Sequence, residues 1–303
     1  MSKNKYQIPV IVKAVRSEFW QTLLAGAKHA AEEQSDKVNI SLLGPPEETD
    51  VEEQVQILHA ALANAPDAVV IASTSNELTV PAIEAAMAKG IPVVTIDNRI
   101  NTDKIACFIA TNNVAAAASA ADAMVRDWET AGIQAAGKKV VVINSLRESK
   151  VDQDRDNGFM NRIQELVPDI RLLDVQYVEN DQKLTTEIVK GLLEANNDLI
   201  GIFADNDQTG IGVAKAIRET GAQDRLFAYA FDSSSEEIAA IEEGYLRGMV
   251  VQNPFMMGYQ GVKLAIDAIE GKEIVKEVDT GATIVTRENI KTPDVEKLLN
   301  PQI

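Results

Sequence analysis

Apolar residues fall in short blocks, separated by longer stretches in which they recur every three or four positions. Ile8–Val12, Val38–Leu43, Ala68–Ala72, Ile91–Ile96 and Ala106–Ala110 are blocks of strand length. Most are apolar throughout instead of alternating, as strands are when helices cover both faces of a parallel sheet. Between the first two, Leu23, Leu24, Ala27, Ala30 and Ala31 share one face of a helix from Glu18 to about Glu33. Ser17 is placed to cap it. Thr49 and Glu52 have capping-box spacing ahead of an apolar stripe of Val51, Val55, Leu58 and Leu62. From Thr111 the pattern restarts with an alanine-rich helix over Asn113–Asp127 and a strand over Lys138–Asn144. Ser145–Arg155 reads as a charged loop with no element of its own. A helix over Phe159–Leu166, a strand over Ile170–Val178 and a helix over Thr185–Glu194 follow. The rest predicts strands at Leu199–Ala204, Phe227–Phe231 and Gly248–Gln252 and helices at Ile211–Ile217 and Ser235–Glu243. Pro254 opens a long helix to about Ile269. Thr280–Thr286 then reads as a strand and Asn289–Leu299 as a short helix.

One unit is written twice. Asp67–Asn98 is strand, polar turn, helix, glycine stop and strand, and Asp198–Asp232 repeats it. Asp67 matches Asp198, Gly90 matches Gly221, and Asp97 stands where Asp232 stands. Alternating strands and helices give an α/β fold of mostly parallel sheets, and the repeat with the restart argues for two of them. Ligands of such sheets lie beyond the carboxyl ends of the strands, so the strand exits are where chemistry is expected.

Composition narrows the function. The formal charge of −17 argues against nucleic acid, whose phosphates require a basic face. Cys107 is the single cysteine, inside an apolar block, so no internal disulfide forms and a small buried residue is expected. His29 and His59 lie in helical stretches away from strand exits, which argues against a histidine-based catalytic or metal site. No run approaches the ~18 consecutive apolar residues of a membrane span. The start, MSKNKYQ, lacks an apolar signal core, so the expectation is either a cytosolic protein or one whose leader has been removed.

The exits are rich in groups that bind hydroxyls. Asp97 and Asp232 each accept hydrogen bonds in a fork, and Asn98, Asn206, Gln153 and Gln252 both donate and accept. Phe19 and Trp20 offer flat apolar faces on which a sugar ring stacks. Neighbours on a helix point different ways, so one of the two is expected to cap the core. An enzyme reading competes: Asp205-Asn206-Asp207-Gln208-Thr209 at a strand exit resembles the nucleophile motif of haloacid-dehalogenase-type phosphatases. The lysine and later acidic pair that such phosphatases need have no counterpart at the later exits. No glycine-rich phosphate loop, G-x-S-x-G elbow or metal-ligand cluster stands in the sequence, so neither cofactor nor metal is expected.

Phe19-Trp20, Ile91–Asp97, Ile109–Asn113, Arg155-Asp-Asn-Gly-Phe159, Ala230-Phe-Asp232 and Val251-Gln-Asn-Pro254 together resemble the type I periplasmic sugar-binding proteins, the ribose-binding-protein-like family. The resemblance implies two Rossmann-like lobes joined by a three-segment hinge with a ligand cleft between them. The N-terminal lobe would take 1–111 plus 253–280 and the C-terminal lobe 112–252 plus 281–303. It implies stacking by Phe19 and Trp20, and hydroxyl contacts from Asp97, Gln153, Asn206, Asp232 and Gln252. It also implies a pentose, hexose or polyol as ligand, a membrane ABC permease as partner, no nucleic acid and a monomeric protein. The setting would be periplasmic or extracellular, with lipid anchoring as one form. Asn98 stands where ribose binders carry Arg, and Ala72 replaces a usual Asn. Lys13, Asp97 and the pair Asp152-Gln153 instead look similar to autoinducer-2 receptors of the same fold, as does Gly44-Pro45 followed by Gln54-Val55-Gln56. A DNA-binding regulator with this ligand domain would need ~50–60 residues ahead of the first strand, and only seven precede Ile8.

Overall fold

The computed structural model describes residues 5–301. The chain forms two compact α/β units. One takes the chain up to Thr111 together with Asn253–Gly281, and the other takes Asn112–Gln252 and Ala282–Asn300. The chain passes from unit to unit after Thr111, after Gln252 and after Gly281.

In the first unit, β1 (Tyr6–Ile11), α1 (Glu18–Glu33), β2 (Val38–Leu43), α2 (Val51–Ala63), β3 (Val69–Ile71), α3 (Val80–Ala88), β4 (Val93–Ile96) and β5 (Cys107–Ala110) follow in order. The second unit runs α4 (Asn113–Thr130), β6 (Lys139–Asn144), α5 (Lys150–Leu166), β7 (Arg171–Leu172), β8 (Gln176–Tyr177) and α6 (Gln182–Ala195). It continues with β9 (Leu199–Ala204), α7 (Asp207–Thr220), β10 (Phe227–Phe231), α8 (Ser235–Glu243) and β11 (Gly248–Gln252). The chain then returns α9 (Pro254–Ile269) and β12 (Glu277–Asp279) to the first unit, and β13 (Ala282–Thr286) and α10 (Pro293–Leu299) to the second. The first sheet, in the order β12-β5-β4-β3-β1-β2, is parallel throughout. The second runs β13-β11-β10-β9-β6-β7, with β8 also on β6 and β13 antiparallel to β11.

Burial on both faces explains the continuous apolar strands. Val10, Val70, Val94 and Ile96 join one core with Leu23 of α1 and Met257 of α9. Their neighbours Ile11, Val69, Ile71 and Val93 point to the opposite face and pack with Leu58 of α2 and Ile83 of α3. The second sheet repeats this, with Val141, Ile143 and Ile202 in one core and Val140, Val142 and Phe203 in the other. Helices α1 and α9 approach to backbone contact at Gly26 and Gly258. A Cβ on Gly258 would lie 1.9 Å from the Leu23 carbonyl oxygen.

Five expectations are corrected. The Ser145–Arg155 stretch is not all loop, because α5 begins at Lys150 behind the Ser149 N-cap. Its early buried face carries Asp152, Arg155 and Asp156, so the apolar stripe that marks a helix is missing there. The expected strand over Ile170–Val178 is two short strands on β6. The strand over Thr280–Thr286 breaks at Gly281, whose φ of +71° turns the chain from one sheet to the other. Ser17 holds the N-cap position of α1 without a capping side-chain bond, and Asp50, not Thr49, precedes α2.

Candidate functional site

The two copies of the repeat end alike. Asp97 follows β4 with φ of +71°, and its amide donates to the Ile109 carbonyl of β5 at 2.8 Å. Asp232 follows β10 with φ of +76°, and its amide donates to the Val250 carbonyl of β11 at 2.8 Å. A non-glycine residue in the left-handed region is uncommon, and aspartate is among those that tolerate it. Each carboxylate thereby leaves the sheet at the same point of its unit.

In the first unit Asp97 meets Lys13, which leaves β1 two residues past its end. Lys13 Nζ donates to Asp97 Oδ2 at 2.6 Å, and both side chains are largely buried. The Lys13 ammonium also lies 5.5 Å from the centre of the Trp20 ring. Trp20 belongs to the core and donates through Nε1 to Glu48 Oε1 at 2.6 Å. Phe19 stays half-buried, edge-on to Trp20 at 4.8 Å. Of the two rings, Phe19 therefore keeps the more accessible face, while Trp20 backs the lysine. Asn98 donates to Asn76 Oδ1 at 3.2 Å and to the Arg99 carbonyl at 3.3 Å. Its buried Oδ1 has no hydrogen-bond partner among the described residues.

In the second unit Asp232 accepts from Gln252 Nε2 at one oxygen and from Arg155 Nη1, 3.4 Å away, at the other. Arg155 also donates to the Asp205 carbonyl at 2.8 Å and to Asn113 Oδ1 at 2.9 Å, with its guanidinium 3.8 Å from the Phe231 ring centre. Asn206 caps α7, accepting from the Thr209 amide, and its Nδ2 donates to Asn180 Oδ1 at 2.8 Å. Asp152, in the first turn of α5, accepts from the Ser145 hydroxyl at 2.7 Å. Gln153 turns to the Arg147 carbonyl at 2.8 Å. The structure thus brings Lys13, Trp20, Phe19 and Asp97 together in one unit, and Asp232 and Gln252 in the other. Asp152 and Asn206 join the latter through Ser145 and Asp205, whereas the Gln153 amide is turned to the Arg147 carbonyl instead.

Arg155 carries no role in the sequence reading, yet it binds Asp232, Asn113 and the β9 exit at once. The spacing Asp152, Arg155, Asp156, Phe159 is one helix face and would have revealed it, had the helix start been placed at Lys150. Behind it lies a group of buried carboxylates. The Ser145 amide donates to both oxygens of Asp205 at 3.0 Å. Burial, then the charges of Asp152 and Asp156, hold the Asp205 carboxyl well above the usual range. Burial likewise pushes Asp156 up to about 7 against the hydrogen bond from Asn144 Nδ2 at 2.6 Å. Asp205, fully buried on a backbone amide, presents no nucleophile. Asp207 lies in α7, where it accepts from the Gln208 amide. The phosphatase motif is therefore a cap and a buried strut. Among the described residues no three His, Cys, Asp or Glu side chains are grouped to hold a metal.

The architecture and the paired strand exits define a two-unit α/β binding protein. The chain belongs to the periplasmic binding protein family, whose domain model matches residues 8–273. The ribose import binding protein of Bacillus subtilis is 24% identical over 290 residues, 94% of this chain and 89% of that protein. A carbohydrate transporter solute-binding protein from Agrobacterium radiobacter, solved with D-arabinose, superposes with a TM-score of 0.91 at 32% identity, covering 99% of this chain and 100% of the other. An ABC transporter solute-binding protein from Agrobacterium vitis with bound D-fucose gives 0.88 at 30% identity, with 97% and 99% covered. None of these three is named as an autoinducer receptor or a phosphatase.

Proposed function

We propose that this chain is the sugar-binding component of an ABC importer, a transport protein and not an enzyme. Its ligand is a neutral pentose or hexose. The observation that carries the reading is the twin aspartate. Asp97 and Asp232 leave equivalent strands in the same left-handed conformation with the same backbone bond to the next strand. Amide and cationic donors around each of these acceptor carboxylates match the alternating donors and acceptors of vicinal hydroxyls. Relatives named for ribose import or solved with D-arabinose and D-fucose support this ligand class. A sugar closes the protein by the difference in its affinity for the open and closed states. The closed form would dock on a membrane permease as a monomer outside the cytoplasmic membrane. No helix among the described residues is long and apolar enough to cross that membrane.

Thermal unfolding in excess D-ribose, D-arabinose and D-fucose tests this. At about 100 times the dissociation constant a bound sugar adds about 2.7 kcal/mol to the folded state, a clear rise in midpoint. A midpoint unmoved by every pentose and hexose in a broad panel would refute the sugar reading.

A further inference from the structure

Gln54 is a polar side chain with no exposure, in the first turn of α2, and is not itself among the residues assigned to the ligand. A buried amide is costly unless all its bonds are made, and Gln54 makes four. Its Nε2 donates to the Val12 carbonyl at 3.0 Å and to the Ala72 carbonyl at 2.7 Å. Its Oε1 accepts from the Thr74 amide at 2.8 Å and the Thr74 hydroxyl at 2.9 Å. The two carbonyls lie where pairing between β1 and β3 runs out. Ile11 and Ile71 are the last paired residues, and the Ala72 amide still reaches the Ile11 carbonyl at 2.9 Å. One residue further, the strands part and the Gln54 amide takes the place of the next rung. The residue after Val12 is Lys13, partner of Asp97, and two residues past Thr74 is Asn76, which accepts from Asn98. The second unit joins its equivalent strands by another route, the Asp205 carboxylate on the Ser145 amide.

We propose that Gln54 is a positioning residue for ligand binding: by clamping the exits of β1 and β3 it sets where Lys13 and Asn98 stand relative to Asp97. This rests on the functional reading above only for the choice of ligand. The clamp itself can be tested without one.

Gln54→Leu keeps the side chain's bulk and deletes all four bonds. In the ligand-free protein, nitrogen-15 NMR of lysine ammonium groups reports the Lys13–Asp97 pair. Lys104, paired with Glu84 at 2.8 Å in the same unit, serves as the control. The expected result is a shifted Lys13 signal with Lys104 unmoved, and an affinity for D-ribose, D-arabinose or D-fucose, whichever the parent binds, lower by about tenfold or more. A purely structural role would lower the melting midpoint and leave both readouts as in the parent. Should the leucine variant fail to fold, Gln54→Glu keeps the acceptor for Thr74 and loses a donor, and the same shift is expected. An unchanged Lys13 signal and unchanged affinity in a folded variant would overturn the proposal. If the parent binds none of the three sugars, the functional reading loses its support and the NMR comparison alone decides the role of Gln54.

Discussion

At the scale of single residues the informative feature is a carboxylate held against its ordinary preference. Asp156 is pushed up to about 7 by burial, with Asp152 adding to the shift and Asn144 and Arg155 opposing it. The unfolded chain releases that proton near the ordinary value of 3.8, whereas the fold keeps it to about 7. The unfolded state thus binds fewer protons across this window, and stability from this site falls as pH rises from about 4 to about 7. Asp156→Asn removes the charge at every pH and leaves an amide beside Asn144. Urea denaturation between pH 4 and pH 8 should show a flatter profile for the variant and a gain over the parent at pH 8. Equal slopes would show that Asp156 ionises freely in the folded protein. Residue-scale roles were only partly legible in the sequence. The matched positions of Asp97 and Asp232 were readable because the repeat aligned them. Which of Phe19 and Trp20 enters the core was not, since that depends on how α1 rolls onto the sheet. Lys13 stands out in the sequence only by a family likeness, because its partner Asp97 is 84 residues away.

At the scale of elements, glycines separate close packing from open surface. Gly258 of α9 lies against the backbone of α1, and a methyl group there must push the helices apart. Gly258→Ala should cost about 1–3 kcal/mol, as overpacking does. Gly191, exposed in α6 with nothing near its missing Cβ, presents the opposite case. Gly191→Ala should stabilise by about 0.5–1 kcal/mol through helix propensity alone. Opposite signs in urea midpoints check the pair, and a shared sign would contradict the packing assigned to α1 and α9. Helices were legible wherever their buried face was apolar, as in α1 with Leu23, Leu24, Ala27 and Ala30. Helix α5 was misjudged because its buried face begins with Asp152, Arg155 and Asp156, and polar residues carry no hydrophobic period.

At the scale of the whole molecule, two sheets follow from strands that are apolar on both faces, and the repeated unit fixes their likeness. The same signal located the strand exits, and through them most of the residues proposed to meet a sugar. Tertiary struts such as Gln54 and Asp205 carry no local signature, because their partners come from strands distant in sequence. The central claim is that Asp97 and Asp232 both take part in binding the sugar. Isothermal titration of the parent, Asp97→Ala and Asp232→Ala with a sugar that the parent binds tests it most directly, with circular dichroism confirming that each variant is folded. Each substitution alone should remove measurable heat at sugar concentrations that saturate the parent. Parent-like binding by either folded variant would contradict the claim.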